Sequence, residues 1–318
     1  MKPMMKLLLC TAIVWCLAVC NALSQQLPLL SQFQESAGVL NPAAISSNYF
    51  RYEQNAEFTA THHSQWTGIE GNPRTSQFVG QILMDGYDPV APIAGVYLVN
   101  DQTGPTGFTG VYAKFGGVLS DDPYEYGISA AFQIGINQYR LRISELELRD
   151  VETIFAAEDD SQVRPDAGVG VFAYKRFGES LVYGGVSVPQ VLGLSANFTG
   201  NDGDVQTQRV RHYYAQLGMQ YDLGDYSFLE PVAWFKYVPN APLHVSATLR
   251  YQTASAFFMG LGGTSSSSIH GQMGVIIGDR TGYDPMLRIG YSFDYGFNSY
   301  GSFAGPSHEI NLNYSFNR

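Results

Sequence analysis

From Tyr124 to Asn137 the chain alternates without a break. Tyr124, Tyr126, Ile128, Ala130, Phe132, Ile134 and Ile136 hold one parity, and Glu125, Gly127, Ser129, Ala131, Gln133, Gly135 and Asn137 hold the other. Successive side chains of a β-strand point to opposite faces, so the stretch predicts a strand with one apolar face and one small or polar face. A helical period would scatter both sets. The pattern recurs from Tyr213 to Leu223, where Tyr213, Ala215, Leu217, Met219, Tyr221 and Leu223 share a parity, and from Leu243 to Gln252, where Leu243, Val245, Ala247, Leu249 and Tyr251 do. Leu287, Ile289, Tyr291, Phe293 and Tyr295 repeat it, and so do Ile310, Leu312, Tyr314 and Phe316, opposed by Asn311, Asn313, Ser315 and Asn317. A soluble sandwich strand would alternate as well. Strands of roughly 10 residues with an unbroken apolar face are what a transmembrane barrel requires. Leu217 should then face lipid and Gln216 the lumen, so that arginine is expensive at the first position and much cheaper at the second.

Loop lengths follow the same expectation, because such barrels have short periplasmic turns and longer extracellular loops. With the C-terminus placed in the periplasm, Asp279 to Pro285, Thr253 to Ser255, Gly224 to Tyr226 and Gly178 to Ser180 fall on the periplasmic side. Asn298 to Pro306, Gln190 to Gln208 and Glu145 to Arg164 fall outside. About fifteen runs read as strands, and an even number is needed to return the chain to the side where it began. The expectation is therefore an all-β, antiparallel transmembrane barrel of fourteen strands, with one run, Ala256 to Gly263 or something before Arg74, not in the wall.

The beginning of the chain changes the picture of where the barrel resides. Lys2 and Lys6 precede an apolar run from Leu7 to Val19 and the small-residue pattern Ala22-Leu23-Ser24. That is the layout of a secretory signal peptide, and residues 1–24 are expected to be removed, with the mature chain beginning near Gln25. The run falls short of the roughly 20 residues of a spanning helix. Leu17-Ala18-Val19-Cys20 also loosely resembles a lipoprotein box, although Val19 stands where a small residue is usual. Cys10, Cys16 and Cys20 all lie in this segment. The mature chain would thus lack thiols, which excludes disulfide frameworks, thiolate metal sites and cysteine nucleophiles.

Charge and composition narrow the function. Loss of Lys2 and Lys6 leaves 16 basic against 28 acidic residues, a net charge of about −12. Nucleic acid, bound by neutralising phosphates, is not an expected partner. Charged residues make up only 14% of the chain, equal to the aromatic share, against about a quarter in soluble domains. Much of the surface is therefore expected to face lipid. Inward sets such as Gly127, Ser129, Ala131 and Gly135 are small and weakly charged, which predicts a filled or narrow interior. Residues 25–47 show no alternation and contain Asn41-Pro42, and proline cannot donate to a central ladder. Their apolar residues Leu27, Leu29, Leu30, Phe33, Val39, Leu40 and Ile45 predict burial, so residues 25–47 are expected to form a plug or else a periplasmic segment, with the barrel following from residue 48 to 318.

Candidate chemistry is sparse. His62 and His63 are adjacent, so on a strand they point to opposite faces and cannot both ligate one ion. Ser307, His308 and Glu309 contain the residue types of a hydrolytic set, but consecutive residues cannot form a chain of nucleophile, base and orienting group. No catalytic residue, metal site or cofactor is expected. Acidic residues at Asp121-Asp122, Glu158-Asp159-Asp160, Asp202 and Asp204 are assigned to outer loops, without the spacing of a calcium loop. Glu158, Asp159, Asp160, Asp202 and Asp204 are the candidate partner-binding residues.

A scattered set of short motifs remains. Gln25-Gln26, Ser31-Gln32-Phe33 and Leu40-Asn41-Pro42-Ala43 are followed by Gln65-Trp66-Thr67-Gly68-Ile69, Gly71-Asn72-Pro73-Arg74-Thr75 and Asn100-Asp101-Gln102-Thr103-Gly104-Pro105. Near the end come Gly290-Tyr291-Ser292-Phe293-Asp294-Tyr295 and Ser307-His308-Glu309-Ile310. In this order the set resembles the PorP/SprF family of type IX secretion membrane proteins from the Bacteroidota, with a departure at Gly262-Gly263-Thr264, where the family tends to carry an arginine. The resemblance gives Asn41, Pro42, Gln65, Trp66, Asp294, His308 and Glu309 as family-motif structural positions. It implies an outer-membrane barrel of a Gram-negative bacterium, working in type IX secretion and gliding motility. It further implies binding of a secreted cargo with a C-terminal sorting domain and of periplasmic secretion or motor-associated proteins. A barrel alone would equally allow a passive pore or small-molecule channel.

Overall fold

The alternating sequence closes on itself because the apolar parity takes one face of a continuous sheet and the polar parity the other. In the computed structural model, residues 30–84, 89–142, 160–192, 195–200, 203–208, 210–278, 285–297 and 301–318 are described. The strands are β1 (Ala56–Ser64), β2 (Arg74–Leu83), β3 (Val90–Thr103), β4 (Thr106–Leu119), β5 (Tyr126–Leu141), β6 (Asp160–Phe177), β7 (Ser180–Val188), β8 (Ser195–Gly200), β9 (Gly203–Gln208) and β10 (Tyr213–Gly224). They continue as β11 (Ser227–Tyr237), β12 (His244–Gln252), β13 (Phe257–Thr264), β14 (Ser268–Gly278), β15 (Met286–Gly296) and β16 (Ser307–Phe316). Short helices lie at α1 (Ala37–Leu40), α2 (Ser47–Tyr52) and α3 (Gly301–Ala304). Among the described residues no helix is long and apolar enough to cross a membrane.

Fourteen strands form a closed antiparallel barrel, in which β7 pairs with β10 and β1 closes against β16. The closing register sets Ala56 opposite Phe316 and Ser64 opposite His308. Strands β8 and β9 form a separate two-stranded sheet within the 189–212 connection. The expected fourteen strands are thus present, but the runs suspected of lying outside the wall belong to it: Ala256 to Gly263 supplies β13, and β1 precedes Arg74.

Facing follows parity. In β5, Ile128, Phe132, Ile134 and Ile136 are exposed to the surroundings of the barrel, while Ser129, Gln133 and Asn137 are buried inside. In β16, Ile310, Leu312 and Tyr314 are exposed and Asn311, Asn313 and Ser315 buried. Only a bilayer gives so many outward apolar side chains a favourable setting, since closure satisfies every backbone ladder without water. Leu217, in β10, is 57% exposed. Its replacement by arginine is expected to cost about 2–4 kcal/mol, measured as a shift in urea unfolding in lipid. Unchanged unfolding would place that face out of the membrane.

Connections alternate between the two ends. The end that holds the C-terminus carries 84–89, 120–125, 178–179, 225–226, 253–256 and 279–285, and the opposite end carries 65–73, 104–105, 142–159, 189–212, 238–243, 265–267 and 297–306. The two longest are on the opposite end, as expected. Asp121-Asp122 is corrected: alternation places it at the C-terminal end, not with Glu158-Asp159-Asp160. There Asp122 caps its own turn, its carboxylate accepting from the Tyr124 N–H at 3.2 Å.

Candidate functional site

The polar face of the wall encloses part of the chain itself. Leu30, Phe33, Val39, Leu40, Ile45, Tyr49, Phe50 and Tyr52 are all buried inside the barrel, where apolar burial is worth roughly 1.5–3 kcal/mol for each large side chain. Phe33 packs on Trp234 with ring centroids 5.7 Å apart, and Phe50 on Tyr174 at 4.5 Å. This interior stretch continues past the expected boundary at Ser47 through α2, and the wall begins only at Ala56.

A segment without a sheet partner must still satisfy its carbonyls, and the wall supplies the donors. Ser129 Oγ donates to the Ala43 carbonyl at 2.8 Å, Ser187 Oγ to Leu40 at 2.6 Å and Gln81 Nε2 to Ala44 at 2.9 Å. Lys114 Nζ donates to the Gly38 carbonyl. Asn41 Oδ1 accepts from the Ala43 N–H at 2.9 Å, turning the chain at Pro42, while Asn41 Nδ2 donates to the Val171 carbonyl at 3.0 Å. The small inward residues of the wall leave the room: a Cβ built on Gly170 would lie 1.9 Å from Asn41 Oδ1.

Two ends of the lumen hold the segment. Towards the end opposite the C-terminus, Glu309 accepts the backbone N–H groups of Ser31 and Gln32, both at 2.9 Å, and Ser31 Oγ donates to Asp294. Towards the C-terminal end, Gln252 donates to Tyr52, Ser315 to Gln54, and Arg51 pairs with Asp222. The segment therefore runs the depth of the barrel. Gln216 borders a space shared with Leu40, Asn41 and Trp234. Arginine at Gln216, expected from parity alone to be tolerated, would meet this segment, so the cheap half of the Leu217 and Gln216 contrast is withdrawn.

Midway lies a cluster that short motifs did not announce. Glu35, from the segment, contacts Arg250 Nη1 with Oε1, and the same oxygen accepts from Arg288 Nη1 at 3.1 Å. Arg250 Nη2 donates to Glu230 Oε2 at 2.5 Å. Glu230 Oε1 also accepts from Tyr183 at 3.0 Å and Gln220 at 3.1 Å. Burial strips water from the Glu35 carboxylate, and the Arg250 and Arg288 guanidiniums beside it supply the compensating charge. The available signal was the presence of Arg250 and Arg288 at inward parity in a chain poor in charge.

Of the positions expected from the resemblance, Gln65, Trp66, Asp294, His308 and Glu309 lie at the end opposite the C-terminus, whereas Asn41 and Pro42 lie against β6 and β7. Ser307 Oγ accepts from the Trp66 N–H at 3.1 Å, and Thr67 N–H donates to the Pro306 carbonyl at 2.9 Å. Trp66 takes a left-handed backbone, φ 54°, a conformation that favours glycine and is held here by these neighbours. The Gln65 carbonyl accepts from Asn72 at 2.8 Å, and Gly104 N–H reaches the Gly71 carbonyl at 3.0 Å. His308 and Glu309 point apart: His308 is outside with Tyr291, whose hydroxyl is 2.7 Å from Nδ1, and Glu309 is inside. Ser307, His308 and Glu309 thus do not converge. His62 is likewise outside, 2.9 Å from Ser76 Oγ, while His63 is inside, 3.9 Å from Glu309. Among the described residues no three His, Cys, Asp or Glu side chains form a metal-binding group.

Glu158, Asp159 and Asp202 lie outside the described residues, as do residues 1–29 with the expected signal peptide. Asp160 begins β6 opposite Leu141, and Asp204 lies in β9 opposite Thr199; of their side chains nothing is described.

Residues 22–314 match the family of the type IX secretion system membrane protein PorP/SprF. The chain belongs to this family. As a PorP/SprF barrel it is an outer-membrane component associated with type IX secretion machinery. No curated protein matches it. Among solved structures, the Pseudomonas putida toluene transporter TodX is similar at 9% identity with a TM-score of 0.53, over 89% of this chain and 93% of that one. A Pseudomonas aeruginosa FadL homologue gives 7% identity and a TM-score of 0.49, over 83% and 89%. The likeness to TodX extends to the fold alone.

Proposed function

We propose that this barrel binds secreted cargo, a protein with a C-terminal sorting domain, and periplasmic secretion or motor-associated partners, holding them for secretion or surface attachment. The observation that carries this reading is the occupied lumen. With residues 30–55 hydrogen-bonded to the wall along its depth, recognition falls to the two ends, where connections are free to follow a partner's shape. The C-terminal end, with its short turns, is assigned to the periplasm, and the 142–159 and 189–212 connections to the outside. Export of a chain beginning near Gln25 completes the reading.

Residues 145–164, most of this connection and the start of β6, carry Glu145, Glu147, Asp150, Glu152, Glu158, Asp159 and Asp160 against Arg149 and Arg164, with Arg142 just before them. Such an excess speeds association with a basic partner and weakens in salt. Neutralising Glu158, Asp159 and Asp160 together is expected to leave heat-modifiable gel migration unchanged and to lower surface labelling of the cargo several-fold. Unchanged display in the triple variant, with loss on altering the 178–179 turn, would move the main contacts to the periplasmic end. The rival reading as a passive pore predicts steady current in planar bilayers, where this one predicts none.

A further inference from the structure

Two guanidiniums converge inside the wall on one carboxylate that the wall does not own. Arg250 and Arg288 are buried and come from β12 and β15, and both stand over the Phe258 ring, with Cζ atoms 5.6 and 5.4 Å from its centroid. Glu230 is a wall residue that keeps the wall donors Tyr183 and Gln220 at 3.0 and 3.1 Å, besides a longer contact from Ser47 of the segment at 3.5 Å. Glu35 is not: among the described residues, every polar contact of its carboxylate comes from these two arginines. Without Glu35 this cluster would keep two buried cations, Arg250 and Arg288, and one anion, Glu230, an imbalance that burial makes costly. Both arginines also have an Nε–H without an acceptor among the described residues, so the pair has donor capacity beyond what Glu35 uses.

We infer that Arg250 and Arg288 form a carboxylate-binding site in the barrel wall, filled here by the chain's own Glu35 and open to an external carboxylate when Glu35 is absent. Planar carboxylates suit it because a guanidinium presents a fixed fork of donors that matches them. An acidic side chain or a chain terminus of a partner carries the same chemistry, so a partner carboxylate could replace Glu35 without leaving the wall unbalanced. This goes beyond cargo recognition at the loops and does not depend on it.

The test is chemical rescue of the full-length barrel. Glu35→Ala is expected to lower the heat-modification midpoint, and formate or acetate should raise it again in a saturable way, by linkage to binding. Chloride at the same ionic strength, or neutral formamide, should not. Wild type and Glu35→Gln, whose side chains fill the place, should show no such response. If Glu35→Ala does not assemble in chloride, refolding yield in formate against chloride gives the same readout. Equal effects of formate and chloride, or an equal formate response in Glu35→Gln, would overturn the site.

Discussion

Arg250→Met should lower the unfolding free energy of the barrel by about 3–5 kcal/mol, the cost of breaking a buried ion pair by removing one partner. Arg250 serves two carboxylates, Glu35 and Glu230. Its loss leaves both buried, and of the two acids Arg288 pairs with Glu35, at 3.1 Å, its other contact being Asn48. Arg288→Met should cost less, because Arg250 would still serve both acids. Urea unfolding in lipid measures each variant, and combining Arg250→Met with Glu35→Gln should recover part of the loss, the signature of direct coupling. A cost for Arg250→Met below that of Arg288→Met would show that the cluster is not organised around Arg250.

The wall was legible because each strand separates two media. Leu217 and Gln216 differ by one position and meet lipid and lumen, and such contrasts mark a strand whatever the fold around it. Legibility failed where one medium was not recorded in side chains. In β13 the inward positions include Gly260 and Gly262, and a Cβ on Gly262 would lie 2.2 Å from His270 Nε2. Space given up to a neighbour reads in sequence as a weak strand. In β1 the outward parity contains the polar His62, which obscured the alternation there. The Asp121-Asp122 assignment failed for a different reason: composition suggested an outer loop, whereas strand alternation alone decides the end.

The lumenal cluster was illegible because its parts are remote in sequence. Glu35 and Arg250 are separated by 215 positions and meet only when the segment enters the barrel. The family motifs behave alike. Ser31-Gln32 and Glu309 stand 278 and 277 positions apart and make two hydrogen bonds, while Trp66 and Ser307 close the same rim. Residues remote along the chain thus meet at one rim, where the last strand holds Ser31 and Gln32. Small inward residues predict a filled or narrow interior, and parity alone does not pair the residues inside with their wall partners.

Gly170→Leu is expected to dislodge that filling. The Asn41 side chain occupies the space over Gly170 and Gly185: a Cβ at Gly170 would lie 1.9 Å from Asn41 Oδ1, and one at Gly185 2.7 Å from Asn41 Nδ2. Leucine at 170 cannot coexist with the turn in which Asn41 accepts from Ala43 and donates to Val171. Moving that turn also removes the Leu40 carbonyl from Ser187. Overpacking of this kind typically costs about 1–3 kcal/mol, and the outward face of β6, where Val169 and Val171 are exposed, is untouched. The barrel should therefore still form and show heat-modifiable migration, with a lowered midpoint. The displaced segment should become sensitive to protease, and planar bilayers should show a steady current that wild type lacks. Because the collision requires both partners, Asn41→Gly in the Gly170→Leu background should restore part of the midpoint. If Gly170→Leu melts like wild type and carries no current, the segment is not held against β6, and the lumen is closed by something other than the turn at Asn41-Pro42.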